Sequence, residues 1–381
     1  MTNTHHHPAS VARPAPSRAT HRATSDRSRG SWPRWSALGA ALWSAVYGCL
    51  GIRWMSHPTG FPFGVGPESG PASSLWSGLR PEIGAPVVAV LCFTGAAVAI
   101  LMYRLRPYRP LRMPLLTFAM SMSVTLLVLV PDARLLAAVA YAPIFLIGAP
   151  FGWPPVSYWE SIPWPIWFQF GCIAGGFLWS ATTLAYFRVT RGACVACGRR
   201  ATSPRWTSPT AAARWGRWGV FFAVIAPLAY ATTRLAWVVG IPLGISQSLL
   251  RQVRSEMLGA ALGLASVAIG GAILTVGLVR PWGEVFPRWM PILRGRRVPP
   301  ALAIVPASFV AVLVFAAGLG ITRDVLRDGL PAVDWLAHAP GLLWPFWGLG
   351  LGAATVAYHY RRRGRCSRCG RGAPEWSTAT R

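Results

Sequence analysis

Four cysteines are the residues of this chain whose type and spacing could do chemistry. Cys194 and Cys197 stand in Ala185-Tyr-Phe-Arg-Val-Thr-Arg-Gly-Ala-Cys-Val-Ala-Cys-Gly-Arg199, and Cys366 and Cys369 in Ala357-Tyr-His-Tyr-Arg-Arg-Arg-Gly-Arg-Cys-Ser-Arg-Cys-Gly-Arg371. Two Cys-x-x-Cys pairs supply four thiolates, the number that a tetrahedral structural Zn²⁺ requires. Gly198 and Gly370 follow the second cysteine of each pair, where a residue free to take positive φ lets the chain turn tightly around an ion. Four thiolates around a divalent cation leave net negative charge, and Arg191, Arg199, Arg363, Arg365, Arg368 and Arg371 offset it. The expectation is one zinc shared by the two pairs. The same residues could instead form redox-active dithiols activated by arginine, hold an iron–sulfur cluster, or remain two reduced pairs without a ligand. Neither pair has the Trp and Pro that flank a thioredoxin-like motif, which counts against redox chemistry.

A second constellation is charged. Arg53 and Arg234 lie near the ends of apolar runs, each followed by tryptophan (Trp54, Trp237), and Glu82 and Glu256 open the next runs. Charge within a membrane is costly and is usually paired, so Arg53 with Glu82 and Arg234 with Glu256, or the crossed arrangement, are candidate ion pairs at the mouth of a polar cavity. The competing reading has the arginines snorkelling to headgroups and the glutamates sitting as ordinary first-turn residues. That reading is the preferred one. Asp334 and His338 have helical spacing but no third ligand. No nucleotide-binding glycine loop, Ser–His–Asp set or HExxH is evident, so nothing argues for an enzyme.

The elements that must position these residues are set by composition. Of 381 residues, 53% are hydrophobic and 13% charged, about half the charge of a soluble domain. Mean hydropathy is +0.40. The formal charge of +26 is carried by arginine without a single lysine. In a soluble chain that balance would suggest nucleic acid. Here the arginines collect at the ends of apolar runs, where the positive-inside rule places them, and nucleic-acid binding is set aside. Cys49, Cys92 and Cys172 fall inside apolar runs and read as small hydrophobes.

A span needs about 20 apolar residues. Eight candidates lie near 35–55, 83–103, 113–130, 164–186, 218–239, 257–278, 300–321 and 341–360. The apolar stretch 135–148 is shorter and suits an interfacial or re-entrant piece. Arginine-rich segments (the N-terminal tail, 104–112, 188–217, 280–297 and the C-terminal tail) then share one side, the cytoplasm by the positive-inside rule. Both termini fall there. Most acids, including Glu68, Asp132, Glu160 and Asp324, fall on the other side.

Landmarks recur in collinear order. Gly60-Phe-Pro-Phe-Gly-Val matches Gly240-Ile-Pro-Leu-Gly-Ile, Arg80-Pro-Glu matches Arg254-Ser-Glu, Arg106-Pro-Tyr matches Arg280-Pro-Trp, and Trp164-Pro-Ile-Trp matches Trp344-Pro-Phe-Trp. The cysteine knuckles complete the set. Four spans per repeat is an even number, so both copies face the same way and form parallel repeats. The predicted fold is an all-α, polytopic membrane helix bundle of about eight transmembrane helices in two parallel four-helix repeats. Its divisions are a disordered basic tail (1–34), in which His5, His6 and His7 are a weak metal motif, repeat 1 (35–197), a linker (198–216), repeat 2 (217–371) and a C-terminal tail (372–381). The functional expectation is a multi-pass protein of the cell membrane with a structural, sensory or assembly role. Its zinc clasp could dock a cytoplasmic protein partner. The alternative is a solute or ion transporter or channel with its path between the repeats.

Overall fold

The computed structural model describes residues 31–63, 75, 76, 78–104, 109–152, 157–200, 202, 204–290 and 293–372. Residues 1–30 with the three histidines, most of the C-terminal tail, Glu68, Arg106-Pro-Tyr108 and the second glycine of the Gly60 motif lie outside them, and residues 31–34, expected in the disordered tail, open the first helix.

The chain is an all-α, polytopic membrane helix bundle. In chain order the helices are α1 (Ser31–Ser56), α2 (Pro81–Arg104), α3 (Arg112–Val124), α4 (Ala133–Gly148), α5 (Trp164–Thr190), α6 (Pro209–Val238), α7 (Gln247–Ser255), α8 (Leu258–Gly277), α9 (Pro300–Asp328), α10 (Trp335–His338) and α11 (Trp344–Arg362). Their starts are written in the sequence. Ser208 and Ser246 cap α6 and α7 by accepting from the amides of Ala211 and Leu249, donors that would otherwise lack a partner. Asp132 does the same for α4, and prolines occupy the first turns of α5, α6 and α9, where no amide is needed.

Side-chain contacts fix which helix ends lie together. The Arg188 guanidinium, near the end of α5, lies 5.8 Å over the Trp32 ring at the start of α1. At the opposite face, Trp164 Nε1 donates to the Gly60 carbonyl at 3.0 Å and Trp76 Nε1 to that of Leu129 at 2.8 Å. Those bonds gather the end of α1, the end of α3 and the start of α5. In the second half, Trp206 and Trp215 flank Tyr360, and the Tyr358 hydroxyl donates to the Gly283 carbonyl. The start of α6, the chain after α8 and the end of α11 therefore share a face. Asp334 accepts from the Ser246 amide at the far face.

Among the described residues, eight helices are long and apolar enough to cross a membrane, a set that includes 133–151 and omits α11. Trp, Tyr, His and Arg lower the hydropathy of α11, yet it runs antiparallel along α6 from Trp344, near Tyr230, to Tyr360, near Trp215. α4 is different. It starts at Asp132 on the far face, Ile144 packs against Gly263 only a turn and a half into α8, and the returning chain donates from the Tyr158 hydroxyl to the Ala138 carbonyl. Sixteen residues give a length of about 24 Å, short of an apolar core of about 30 Å.

Packing partners follow the same order in each half. α1 packs on α2 and α5 and α3 on α5, while α6 packs on α8 and α11 and α9 on α11. The first half buries Trp54, Phe168, Cys172 and Trp179; the second buries Val220, Ala223, Leu351 and Tyr358. α9 joins them through Leu313, which sits among Leu135, Ile162, Ile166 and Ile173. α6 and α11 approach most closely at Gly219 and Gly350, where a Cβ on Gly350 would stand 2.8 Å from the Gly219 carbonyl oxygen. Between membrane helices such small residues let backbones touch.

Candidate metal centre

α5 and α11 end side by side, and each runs directly into its Cys-x-x-Cys turn. The two turns are built alike. The Cys194 amide donates to the Arg199 carbonyl at 3.0 Å and the Gly198 amide to Cys194 at 2.7 Å; Cys366–Arg371 and Gly370–Cys366 repeat the pattern at 3.0 and 2.8 Å. Gly198 and Gly370 take φ of 72° and 66°, left-handed values that cost other residues strain. The expectation drawn from their position in the sequence holds at both.

The turns face each other across a pseudo-two-fold relation. Cys194 Sγ is 3.9 Å from Cys366 Sγ, and Cys197 Sγ is 3.5 Å from Cys369 Sγ, each pair 172 residues apart in sequence. All four sulfurs lie within 4.8 Å of one another. Zn–S bonds of about 2.3 Å at tetrahedral angles place sulfurs about 3.8 Å apart, so the donor set fits such an ion in both number and spacing. The contacts are too long for a disulfide, whose sulfurs stand about 2.05 Å apart. Which metal the cluster takes is not fixed by this geometry.

Electrostatics favour thiolate. Burial raises the Cys366 thiol, but the amides of Cys369 and Arg368 pointing at its sulfur, with the thiols of Cys197 and Cys369, bring it down to about 6. Cys197 is pushed up to about 12, chiefly by burial. One sulfur is thus ready as an anion while its neighbour keeps its proton until a cation displaces it.

The arginines expected to neutralise the cluster also tie its halves. Arg199 donates to the carbonyls of Arg363, Gly364 and Arg371, each at 2.9 Å. Arg363 returns a bond to the Cys197 carbonyl at 3.1 Å while stacking over Tyr360. Arg188 reaches the carbonyls of Val195 and Ala196. These bonds satisfy carbonyls that a helix end and a tight turn leave free.

The candidate ion pairs of the second constellation do not form, in keeping with the preferred reading: among the described residues Arg53, Glu82, Arg234 and Glu256 form no ion pair. Arg53 and Glu82 are exposed at their helix ends. Arg234 lies over the Tyr230 and Trp237 rings at 4.3 and 4.2 Å, so aromatic faces replace the carboxylate. Glu256 is exposed and accepts only a 3.4 Å contact from Gln252. The physical reason is position: at the ends of helices these groups can reach headgroups and water. Asp334 and His338 gather no further ligand either.

The buried carboxylate is one that the sequence reading passed over as a loop acid. Asp132 has a fully enclosed side chain paired with Arg134 at 2.7 Å. It accepts from Gln169 Nε2 at 2.9 Å, and Gln169 Oε1 accepts from its amide at 3.1 Å. A glutamine within the apolar run of α5 was the available signal. A π-turn (Thr125–Leu129) precedes this node. On the knuckle face, Glu284 pairs with Arg361 and lies 3.9 Å from Arg362.

No family model matches this chain, and no curated protein or solved structure matches it either.

Proposed function

We propose that this protein is a structural or assembly component of the cell membrane whose two halves are clasped by one zinc ion on the cytoplasmic face. The observation that carries the proposal is the convergence of four sulfurs from the ends of α5 and α11. Structural zinc sites are closed, with four protein ligands and no open position for substrate. Such an ion would crosslink two helix ends far apart in sequence, and the knuckle face, dense in arginine, would present a rigid docking surface to a cytoplasmic protein. The shared order of helix packing supports parallel repeats, with α4 and α7 as additions to the first and second. Both termini are assigned to the cytoplasm by the arginine distribution.

A transport path between the halves has less support. The halves meet through the apolar side chains around Leu313, and the candidate arginine–glutamate pairs at its mouth do not form among the described residues. The test of the clasp is metal analysis of the purified protein. About one zinc per chain, lost in Cys366→Ser, is the expected result. A metal content unchanged by the substitution, or a coloured iron–sulfur chromophore, would overturn it.

A further inference from the structure

Beside the clasp, on the same face, α6, α11 and the chain leaving α8 border an open cavity of about 770 Å³ lined by Thr210, Ala213, Arg214, Arg217, Val279 and Arg361. We propose that it holds the phosphate-bearing headgroup of an anionic lipid. The inference rests on the membrane placement of the bundle and not on the metal.

Charge accounting motivates it. Arg214 and Arg217 are exposed, and their spacing puts both on one face of α6. Among the described residues neither meets a carboxylate or donates a hydrogen bond. Arg361 borders the cavity from α11, donating to the Leu278 carbonyl at 3.0 Å and pairing with Glu284. That single carboxylate is also shared with Arg362. The cavity is therefore net positive, with Arg214 and Arg217 uncompensated, and guanidinium groups match phosphate oxygens in geometry as well as sign.

Position selects the source of the phosphate. Arg217 immediately precedes the exposed Trp218 ring, a residue type that marks the membrane–water boundary, and a turn further on Val220 enters the apolar core. Val279 supplies an apolar wall just beyond the end of α8. A pocket at headgroup depth, basic at its rim and apolar at one wall, fits a lipid better than a free anion.

The experiment uses the full-length protein in phosphatidylcholine nanodiscs titrated with phosphatidylglycerol, retained lipid being read by native mass spectrometry. The wild type should hold phosphatidylglycerol in preference to phosphatidylcholine. Arg214→Gln with Arg217→Gln should weaken that retention by roughly thirty-fold, the effect of removing two juxtamembrane arginines. Arg288→Gln with Arg294→Gln, an equal charge change at exposed positions outside the cavity, should leave it unchanged. Cys366→Ser should also keep the lipid, which separates failure of this site from failure of the clasp. Equal loss in both double variants would reduce the effect to general surface charge and overturn the proposal. Undiminished retention in the first double variant would overturn it as well. Displacement of the lipid by millimolar inorganic phosphate would assign the cavity to a free anion and overturn the lipid assignment.

Discussion

Cys366 shows how one residue can be tuned by its surroundings. Its thiol titrates near 6, below the ordinary thiol value of about 8.5. A group depressed in the folded state contributes stability that is present above its unfolded value and lost as pH falls through the folded one. Protons and metal compete for the same sulfurs. Zinc release should therefore accompany acidification, which a chromophoric chelator followed across pH will record. A second prediction concerns Asp132. Replacing it with alanine leaves the Arg134 guanidinium and the buried Gln169 amide without their carboxylate, a loss of about 3 kcal/mol. Thermal unfolding in detergent should shift to lower temperature, while zinc content stays at wild-type level because the node lies on the opposite face from the cysteines.

At the level of elements, α6 and α11 matter most, since they carry the second knuckle to the first. Gly350→Val would place new atoms against the Gly219 carbonyl, whose oxygen is only 2.8 Å from the ideal Cβ. The helices must then separate, at a cost of about 1–3 kcal/mol. Gly352→Val, on the same helix with open space around its Cβ, should be tolerated. Comparing the two by thermal unfolding isolates the contact. The Gly219–Gly350 contact was beyond sequence reasoning. Periodicity reports how apolar a segment is, and depth or facing comes from its neighbours. By length alone the sequence assigns 135–148 to an interfacial or re-entrant piece, whereas the helical stretch 133–151 is long and apolar enough to cross a membrane.

For the whole molecule, the halves are joined by the apolar cluster around Leu313, the packing of Ile144 on Gly263, the arginine–carbonyl bonds of the knuckles and the proposed metal. Cleaving the linker at an engineered protease site between residues 200 and 208 should therefore leave the two fragments co-purifying. Chelation of the cleaved protein should loosen them, and Arg199→Ala should make that loosening easier, because the guanidinium bridges three carbonyls of the other half. Size-exclusion profiles before and after chelation will show it.

Much of this was already legible in the residues. Apolar runs and arginine placement determine an all-α membrane bundle, because backbone polar groups in lipid must be satisfied within a helix. The repeated Cys-x-x-Cys-Gly-Arg turn determines which four side chains can share a metal, and the glycine conformations follow from its local geometry. Tertiary structure decided the rest. It brought sulfurs 172 residues apart to within 3.9 Å, left Arg53, Glu82, Arg234 and Glu256 without an ion pair among the described residues, and enclosed Asp132 with Gln169 instead. Local pattern sets what each helix is, whereas which charges meet depends on how helix ends are stacked across the membrane, and no single run of sequence contains that information.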